Sequence, residues 1–236
     1  MEIVEGLVEL IYPRSCAVCG RVLIPGEMVL CVSCLADLPR TGTWYEQDNP
    51  VAFCFLGRVA FQYAASFLFF RDGSRYRKLL HRFKYLGHSQ IGLYMGRLFG
   101  RELMRPGEGG LWTHFDRPVL VPVPIMPRKQ RKRGYNQAEV LARGIASATG
   151  WPLETRLLRR VSESGSQTAQ DRWGRWQNVG NAFVADAKAA ARVGGSDLIL
   201  VDDVITTGAT LERCAQALIA VMPQAKINFL SLAYVE

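Results

Sequence analysis

The chain has 236 residues, of which 49% are apolar and 21% are charged, and this composition excludes a disordered or fibrous chain. Lysine and arginine outnumber aspartate and glutamate by 29 to 21. The excess is concentrated at 71–133, where 15 cationic residues stand against 4 acidic ones, and this block predicts an anionic partner bound at one place.

The first residues lack the pattern of an export signal. Residues 1–13 carry three glutamates where a signal peptide is basic, and they have no small-residue cleavage site. No run of 18 uncharged apolar residues occurs in the sequence; 51–70 comes closest and is interrupted by Arg58 and Gln62. We therefore expect a cytoplasmic protein without membrane insertion, which begins with a short amphipathic helix that turns Ile3, Leu7 and Leu10 inward.

Four of the six cysteines form two CxxC pairs, Cys16 with Cys19 and Cys31 with Cys34. Two thiolates on a tight knuckle can reach one ion, and two knuckles complete a tetrahedral four-sulfur shell, which suits Zn²⁺. Because such a shell has no open position, we interpret the zinc as structural, supplying folding free energy to a small module at 1–50. The alternatives are a redox CxxC pair, four unrelated buried cysteines, or iron in place of zinc.

The middle of the chain predicts two short strands at 51–70, a turn at Asp72 and Gly73, and a helix at 74–85. This helix carries five cations outside its apolar face, so that face is either a solvated surface or a phosphate-binding one. A second helix is predicted at 90–104, where three glycines spaced four apart permit close helix packing: Gly92, Gly96 and Gly100.

A strand, a basic loop and a helix are predicted next. Residues 119–124 form a short apolar strand that ends in prolines, followed by a loop at 128–137 with five cations and by a helix at 138–149 with Val140, Leu141 and Ile145 inward. This junction favours a polyphosphate ligand, and a basic surface loop is the alternative. A further strand is predicted at 153–161, and the polar segment 162–181 predicts a functional loop or lid.

The most informative segment is 198–211, LILVDDVITTGATL. Its apolar run predicts a central parallel strand with Asp202 and Asp203 at the carboxyl end, where open α/β sheets bind ligands. The following residues open a helix, and their N–H groups and hydroxyls suit a phosphomonoester: Thr206, Thr207, Gly208, Ala209 and Thr210. Carboxylates suit sugar hydroxyls, so the segment predicts a site for a ribose 5-phosphate. A Walker-type NTPase requires a Gly-Lys pair, and the sequence contains none.

Residues 198–210 resemble the type I phosphoribosyltransferases, whose diphosphate-sugar motif has four apolar residues, two acidic ones and a Thr/Gly-rich loop. Nearly the whole chain resembles the ComF family of competence proteins (ComFC and GntX-like), whose motifs occur here in the family's order. These are the cysteine knuckles preceded by LIYP at 10–13, FKYLG at 83–87, KRGYNQ at 132–137, QT at 167–168 and RxxNVxxAF at 175–183.

The resemblance implies 5-phosphoribosyl-1-diphosphate (PRPP) as the ligand, together with Mg²⁺. Asp202 and Asp203 then bind the ribose hydroxyls, and 206–210 hold the 5′-phosphate. The other residues assigned to the diphosphate and phosphate groups are Val123, Pro124, Arg133, Gly134 and Lys84. Arg175 belongs to the lid at 162–181, which closes to exclude water from an oxocarbenium-like transition state. Catalysis rests on electrostatic stabilisation, since no base dedicated to a nucleophile is evident.

The expected fold class is α/β, with a type I phosphoribosyltransferase-like domain at 51–236 after the zinc module at 1–50. Its sheet is twisted, mainly parallel and flanked by helices. The favoured function is phosphoribosyl transfer to an unidentified acceptor, with a role in natural competence. The alternative is a non-catalytic PRPP-sensing protein that binds single-stranded DNA, with competence helicase components as further partners.

Overall fold

The computed structural model describes residues 13–85, 87–105, 111–161 and 182–235. Within them, the main sheet contains β1 (Ala64–Phe70), β2 (Pro118–Pro122), β5 (Asp197–Ile205) and β6 (Lys226–Val235), while β3 (Leu158–Arg160) and β4 (Phe183–Ala185) form a separate antiparallel pair. The helices are α1 (Val32–Ala36), α2 (Pro50–Phe53), α3 (Arg77–Phe83), α4 (Ser89–Leu103), α5 (Pro127–Arg133), α6 (Gln137–Thr149), α7 (Ala187–Arg192) and α8 (Ala209–Val221).

The main sheet has the strand order β1-β6-β5-β2, and every pairing in it is parallel. The carboxyl ends of the four strands therefore lie at one edge of the sheet. β5 is central: Asp202 lies opposite Ser231 of β6, and Val201 lies opposite Pro122 of β2. Both faces of β5 are covered, which explains its continuous apolar run. The predicted α/β class with a mainly parallel sheet is confirmed.

The helices form a layer on each face of the sheet. One apolar cluster joins the sheet to α3, α4 and α6, and the other joins it to α2, α7 and α8. The glycines of α4 allow close approach to α6, since a Cβ on Gly96 would lie 2.3 Å from the Leu141 carbonyl oxygen. In the reverse direction, a Cβ on Gly144 would lie 2.5 Å from the Leu93 carbonyl oxygen. The predicted close packing is confirmed.

The prediction of two strands at 51–70 is wrong in its first part, which begins with the single helical turn α2 and is followed by turns that lead to β1. Asn49 explains the turn, because its Oδ1 accepts hydrogen bonds from the N–H groups of Val51 at 2.9 Å and Ala52 at 3.0 Å. Pro50 occupies the first position of the helix, where no N–H donor is needed.

Two further predictions need correction. The basic loop at 128–137 is largely helical as α5, which starts at Pro127 and ends at Gly134 with a φ of +81°; proline at the start and a left-handed glycine at the end are the usual helix boundaries. The strand predicted at 153–161 is limited to β3, and Leu153 forms an isolated parallel bridge with Leu120.

The remaining predicted elements agree with α3, α4, α6, β2, β5 and α8 to within a few residues at each end. In the part of the chain that the structure describes, no helix is both long and apolar enough to cross a membrane. The predicted N-terminal helix with Ile3, Leu7 and Leu10, and the predicted lid at 162–181 with Arg175, lie outside the described residues. The boundary near residue 50 stays a prediction.

Candidate functional site

The predicted acidic pair lies at the carboxyl end of the central strand. Asp202 and Asp203 are both half-buried, and the Asp203 N–H donates a hydrogen bond to Asp202 Oδ1 at 2.8 Å. Burial raises the pKa of Asp202 well above its ordinary value, and the nearby charge of Asp203 raises it further. Ligand hydroxyls that donate to this carboxyl group, or a cation beside it, would favour its ionised form.

The Thr/Gly-rich loop wraps a small cup directly after the acidic pair. The cup has a volume of about 50 Å³ and is lined by Asp202 and by residues 204–211. Thr206, Thr207 and Thr210 are exposed, and Ala209 begins α8, so backbone N–H groups and the positive end of the helix dipole face this region. The structure thus brings the predicted ribose-binding and phosphate-binding residues together.

Gly208 cannot be replaced without strain at the tip of this loop. Its φ of +73° lies in the left-handed region that disfavours other residues. A Cβ at this position would also lie 2.7 Å from the ring of Phe55. Phe55 therefore packs closely against the inner side of the loop. The threonine side chains of the loop are exposed on its outer side.

Arg58 supports the same loop, and sequence reasoning missed it. Its Nη1 donates hydrogen bonds to the carbonyl oxygens of Cys54 at 2.8 Å and Thr207 at 2.6 Å. Its Nη2 forms an ion pair with Glu212 in the first turn of α8. The one sequence signal for Arg58 is a charge within the otherwise apolar segment 51–70.

The turn after β2 lies beside the acidic pair because β2 is paired with β5. The Val123 N–H donates to the Val201 carbonyl oxygen at 2.9 Å, and the Val123 carbonyl accepts from Asn136 Nδ2 at 3.0 Å. Since both backbone groups of Val123 are engaged and its side chain is buried, this residue shapes the turn. Pro124 is half-buried next to it. Asn136, which sequence reasoning did not single out, ties the turn to α6.

The junction of α5 and α6 also contacts the end of α3. Tyr135 donates hydrogen bonds from its hydroxyl group to the carbonyl oxygens of Phe83 and Tyr85, the latter at 3.1 Å. Arg133 Nη1 donates to Gln137 Oε1 at 2.8 Å, and Gly134 forms the end of α5. These contacts place Arg133 and Gly134 near the carboxyl end of α3, where Lys84 is found.

Lys84 lines a second, larger space at this edge of the sheet. A cleft of about 580 Å³ lies between α3 and the carboxyl ends of β1, β5 and β6, and it shares Thr206 with the phosphate loop. The distal cations of α5 are exposed, and among the described residues none forms an ion pair. They are Arg128, Lys129, Arg131 and Lys132.

The four cysteines of the two CxxC pairs form one cluster at the N-terminal end of the described chain. All four sulfur atoms lie within 4.8 Å of one another, and Cys19 Sγ is 3.7 Å from Cys31 Sγ. A tetrahedral zinc site with bonds of about 2.3 Å needs sulfur atoms about 3.8 Å apart. The predicted ligand set therefore fits a tetrahedral metal ion.

The thiols of the cluster have pKa values that are shifted in opposite directions. Burial would raise the pKa of Cys16, but N–H groups of Cys19, Cys31 and Val18 stabilise the thiolate and lower its pKa to about 6. Burial and the neighbouring sulfur atoms raise the pKa of Cys34 to about 12. Four thiolates this close repel one another, and a divalent cation removes that repulsion.

Two further contacts hold the cysteine knuckles in place against the rest of the fold. Arg82 Nη1 donates to the Cys16 carbonyl oxygen at 3.3 Å, and the Tyr76 hydroxyl donates to the Cys34 carbonyl oxygen at 3.0 Å. Both residues come from α3 or the residue before it. The cysteine cluster is thus in direct contact with the helix that lines the large cleft.

The chain is similar to proteins named for DNA utilization and for competence. It is 32% identical to the DNA utilization protein YhgH of Salmonella typhimurium over 142 residues, 60% of each chain. It is 31% identical to competence protein F of Haemophilus influenzae over 142 residues, 59% of this chain and 60% of that one. The resemblance to the ComF family is confirmed. ComFC of Bacillus subtilis is 28% identical over 156 residues, 66% of this chain and 58% of that one.

This ComF-like chain spans about 60% of the length of the curated relatives it matches. No protein-family model matches it. Solved structures similar to it include the allosteric regulatory enzyme of purine biosynthesis, with a TM-score of 0.39 and 21% identity over 63% of this chain and 29% of that one. Another is a phosphoribosyltransferase from Corynebacterium diphtheriae, with a TM-score of 0.35 and 15% identity over 68% of this chain and 87% of that one.

Proposed function

We propose that this chain binds PRPP with Mg²⁺ and transfers its phosphoribosyl group to an acceptor, in a process connected with DNA uptake. The observation that carries the proposal is the cup at the carboxyl end of β5. There, Asp202 and the loop 206–210 surround one small space. Carboxylates that suit sugar hydroxyls stand next to backbone donors that suit a phosphate, and this combination matches a ribose 5-phosphate.

The substrate groups have distinct partners in this proposal. Asp202 and Asp203 accept hydrogen bonds from the ribose hydroxyls, and the loop 206–210 donates N–H and hydroxyl hydrogen bonds to the 5′-phosphate. The diphosphate lies toward the turn 122–124, with Arg133 and Gly134 from the end of α5. Arg175, outside the described residues, is expected to close over the leaving group.

The acidic pair also fits a role beside Mg²⁺. Two carboxylates whose charges repel each other accept a nearby cation readily, and Mg²⁺ prefers oxygen ligands from water, phosphate and carboxylate. When bound, Mg²⁺ would neutralise the charge of the diphosphate leaving group. The cysteine cluster fits Zn²⁺, which we assign a structural role because four thiolates fill a tetrahedral shell.

The transfer is a displacement at the anomeric carbon. A bond forms between the acceptor nucleophile and C1, the C1–oxygen bond to diphosphate breaks with its electron pair going to diphosphate, and the acceptor proton passes to solvent or to the released diphosphate. The chain supplies fixed donors around the two anionic groups, so it stabilises the developing charges by electrostatics. In this proposal, the predicted lid at 162–181 excludes water from the reacting groups.

A diphosphate-release assay with PRPP, Mg²⁺ and a mixed set of nucleobases and amines tests transfer. We expect acceptor-dependent release that Asp203→Asn lowers at least a hundredfold. The exposed residue Asp116 provides a matched control: it lies just before the amino end of β2, at the opposite end of the parallel sheet from the cup, so Asp116→Asn removes the same charge at a distance. PRPP binding without release above the acceptor-free rate would contradict the transferase function and favour a PRPP sensor.

A second candidate function is binding of single-stranded DNA, alone or beside a PRPP sensor site. The exposed cations of α5 favour it, because sequence-independent DNA binding relies on unpaired lysine and arginine. The relatives are named as a DNA utilization protein and a competence protein, and these names support a function that involves DNA. Competence helicase components are further proposed partners of this function.

Fluorescence anisotropy with a labelled oligonucleotide at several salt concentrations tests this candidate. We expect the affinity to fall as salt rises, and Arg131→Ala with Lys132→Ala to flatten that dependence. Lys188→Ala is the control, since Lys188 is an exposed lysine on α7, away from α5. An affinity independent of salt, or unchanged in the α5 variant, would exclude α5 as the DNA-binding surface.

A further inference from the structure

The cleft between α3 and the sheet combines an apolar floor with a cationic wall. Its apolar lining comes from Phe70 and Val235 at the ends of β1 and β6, from Leu80 of α3, and from Val204 beside the acidic pair. Its volume of about 580 Å³ is that of a pocket for a small organic ligand. Because it shares Thr206 with the phosphate loop, a ligand in it would lie next to the bound ribose.

The cations of the wall are available to a ligand. In the described part of the chain, the ammonium groups of Lys78 and Lys84 have no carboxylate within 4.0 Å and no hydrogen-bond partner, whereas Arg77 is paired with Asp72 at 2.6 Å. Arg82 donates to a carbonyl oxygen and keeps its charge unneutralised. No aspartate or glutamate is among the described residues that line the cleft. A neutral ligand would leave this charge uncompensated.

The strand order places the apolar floor of the cleft on the side of β5 that is opposite the turn 122–124. β5 lies between β6 and β2; the turn 122–124 follows β2, and the cleft lies beyond β5 on the β6 and β1 side. A displacement at C1 requires the nucleophile to approach opposite the leaving group. With the ribose over Asp202 and the diphosphate toward β2, the acceptor must enter from the side of this cleft.

We propose that the cleft is the acceptor subsite and that it selects a planar acid, a small aromatic or heterocyclic ring that carries a carboxylate or phosphate group. The proposal rests on the phosphoribosyl transfer proposed above. The ring packs on Val204, Val235 and Phe70, and the acidic group pairs with Lys84 and Lys78. Lys84, which the sequence assigns to phosphate binding, also lines this cleft. Its neighbours Phe83 and Tyr85 accept hydrogen bonds from Tyr135, so Lys84 lies where the acceptor cleft meets the residues proposed for the diphosphate.

Affinity labelling tests the class of ligand without knowledge of the natural acceptor. Pyridoxal 5′-phosphate is a planar acid whose aldehyde condenses with a lysine amine to form an imine and water, and borohydride then fixes the adduct. We expect it to label Lys84 or Lys78 of the full chain at least tenfold faster than it labels Lys129 and Lys132, the lysines of the exposed cationic helix α5. Pyridoxal, which lacks the phosphate, should label the same sites at least tenfold more slowly. Peptide mass spectrometry measures both ratios.

Two outcomes would overturn the inference. Equal labelling of Lys84 and the α5 lysines would mean that charge alone attracts the probe. Loss of Lys78 labelling under saturating PRPP and Mg²⁺ would mean that the diphosphate occupies the cleft; because Lys78 lies in the first turn of α3, we expect its labelling rate to stay within about twofold. Absence of PRPP binding in a separate calorimetric titration would contradict the proposed function and leave the labelling ratio as an independent result on the cleft.

Discussion

The carboxyl group of Asp202 occupies a position where its charge is disfavoured in the free protein. Burial and the neighbouring Asp203 raise its pKa, so the folded state holds a proton more tightly than the unfolded chain does. The stabilisation from that proton is complete below the ordinary pKa of an aspartate and is lost as the pH rises through the raised value. The raised pKa therefore lowers the free energy of unfolding at neutral pH relative to acidic pH.

Replacing this carboxyl group separates stability from function. Asp202→Asn keeps an oxygen that accepts the Asp203 N–H, so we expect the free energy of unfolding at neutral pH to rise by about 1 kcal/mol. That is about 2–4 °C in melting temperature for a chain of this size. PRPP affinity should fall at the same time. Thermal unfolding at several pH values measures the first effect, and an unchanged pH dependence in the variant would contradict the assigned pKa shift.

Arg58 neutralises a carboxylate that stands beside the proposed 5′-phosphate. Without it, Glu212 would leave a negative charge in the first turn of α8, close to the phosphate loop. We expect Arg58→Ala to weaken the binding of ribose 5-phosphate about tenfold, or about 1.4 kcal/mol. The double variant Arg58→Ala with Glu212→Gln should recover most of that loss. A double variant as weak as Arg58→Ala would mean that Arg58 acts through its hydrogen bonds to the loop and not through charge.

The site could be predicted from sequence only where its residues are contiguous. Asp202, Asp203 and the loop 206–210 lie within ten positions, and their chemistry is evident from their order. Arg58 forms a hydrogen bond with Thr207, which is 149 positions away in the sequence. Asn136 forms one with Val123, which is 13 positions away. Neither contact has a local pattern, because each depends on which elements the fold brings together.

The helices and strands also differ in how well the sequence predicts them. The periodic helices α4, α6 and α8 and the apolar strand β5 were predictable because burial of one face, or of both, determines their sequence pattern. The helical turn α2 depends on the side chain of Asn49, whose Nδ2 also donates to the Ala64 carbonyl oxygen at 3.0 Å. In α5, the boundaries Pro127 and Gly134 were present in the sequence, but the charge pattern favoured a loop.

Helix α3 links the cysteine cluster, where we propose zinc, to the cleft. It has seven residues, and a helix of this length is not stable by itself, so its position depends on packing. Arg82 of α3 donates a hydrogen bond to the Cys16 carbonyl oxygen. Tyr76, the residue just before α3, donates one to the Cys34 carbonyl oxygen. An ordered metal site should therefore be required for an ordered cationic wall.

Hydrogen exchange tests this link. After removal of the metal by a chelator, or in Cys16→Ser, we expect the amides of α3 to lose protection by at least tenfold, along with loss of about one equivalent of zinc per chain. Helix α8, on the other face of the sheet, is the internal control and should keep its protection. Metal loss that leaves α3 protected would contradict the coupling, and less than about one equivalent of zinc in the untreated protein would contradict the structural zinc site.

For the molecule as a whole, the fold divides the basic block at 71–133. The sequence suggests one cationic region, but α3 lines the cleft at the ends of β1 and β6 whereas α5 follows β2, and the two helices approach each other where Tyr135 contacts the end of α3. The acidic pair lies between them at the end of β5. The charge is thus arranged on both sides of the proposed ribose, which suits anionic groups on the leaving group and on the acceptor.

PRPP binding at the end of β5 is the central claim, and an isothermal titration with PRPP in the presence of Mg²⁺ tests it most directly. We predict one binding site per chain, an affinity that falls at least tenfold in Asp203→Asn and in Thr207→Val, and an unchanged affinity in Asp116→Asn. A folded, metal-loaded protein that releases no heat with PRPP, or that binds it equally well in all three variants, would contradict the account.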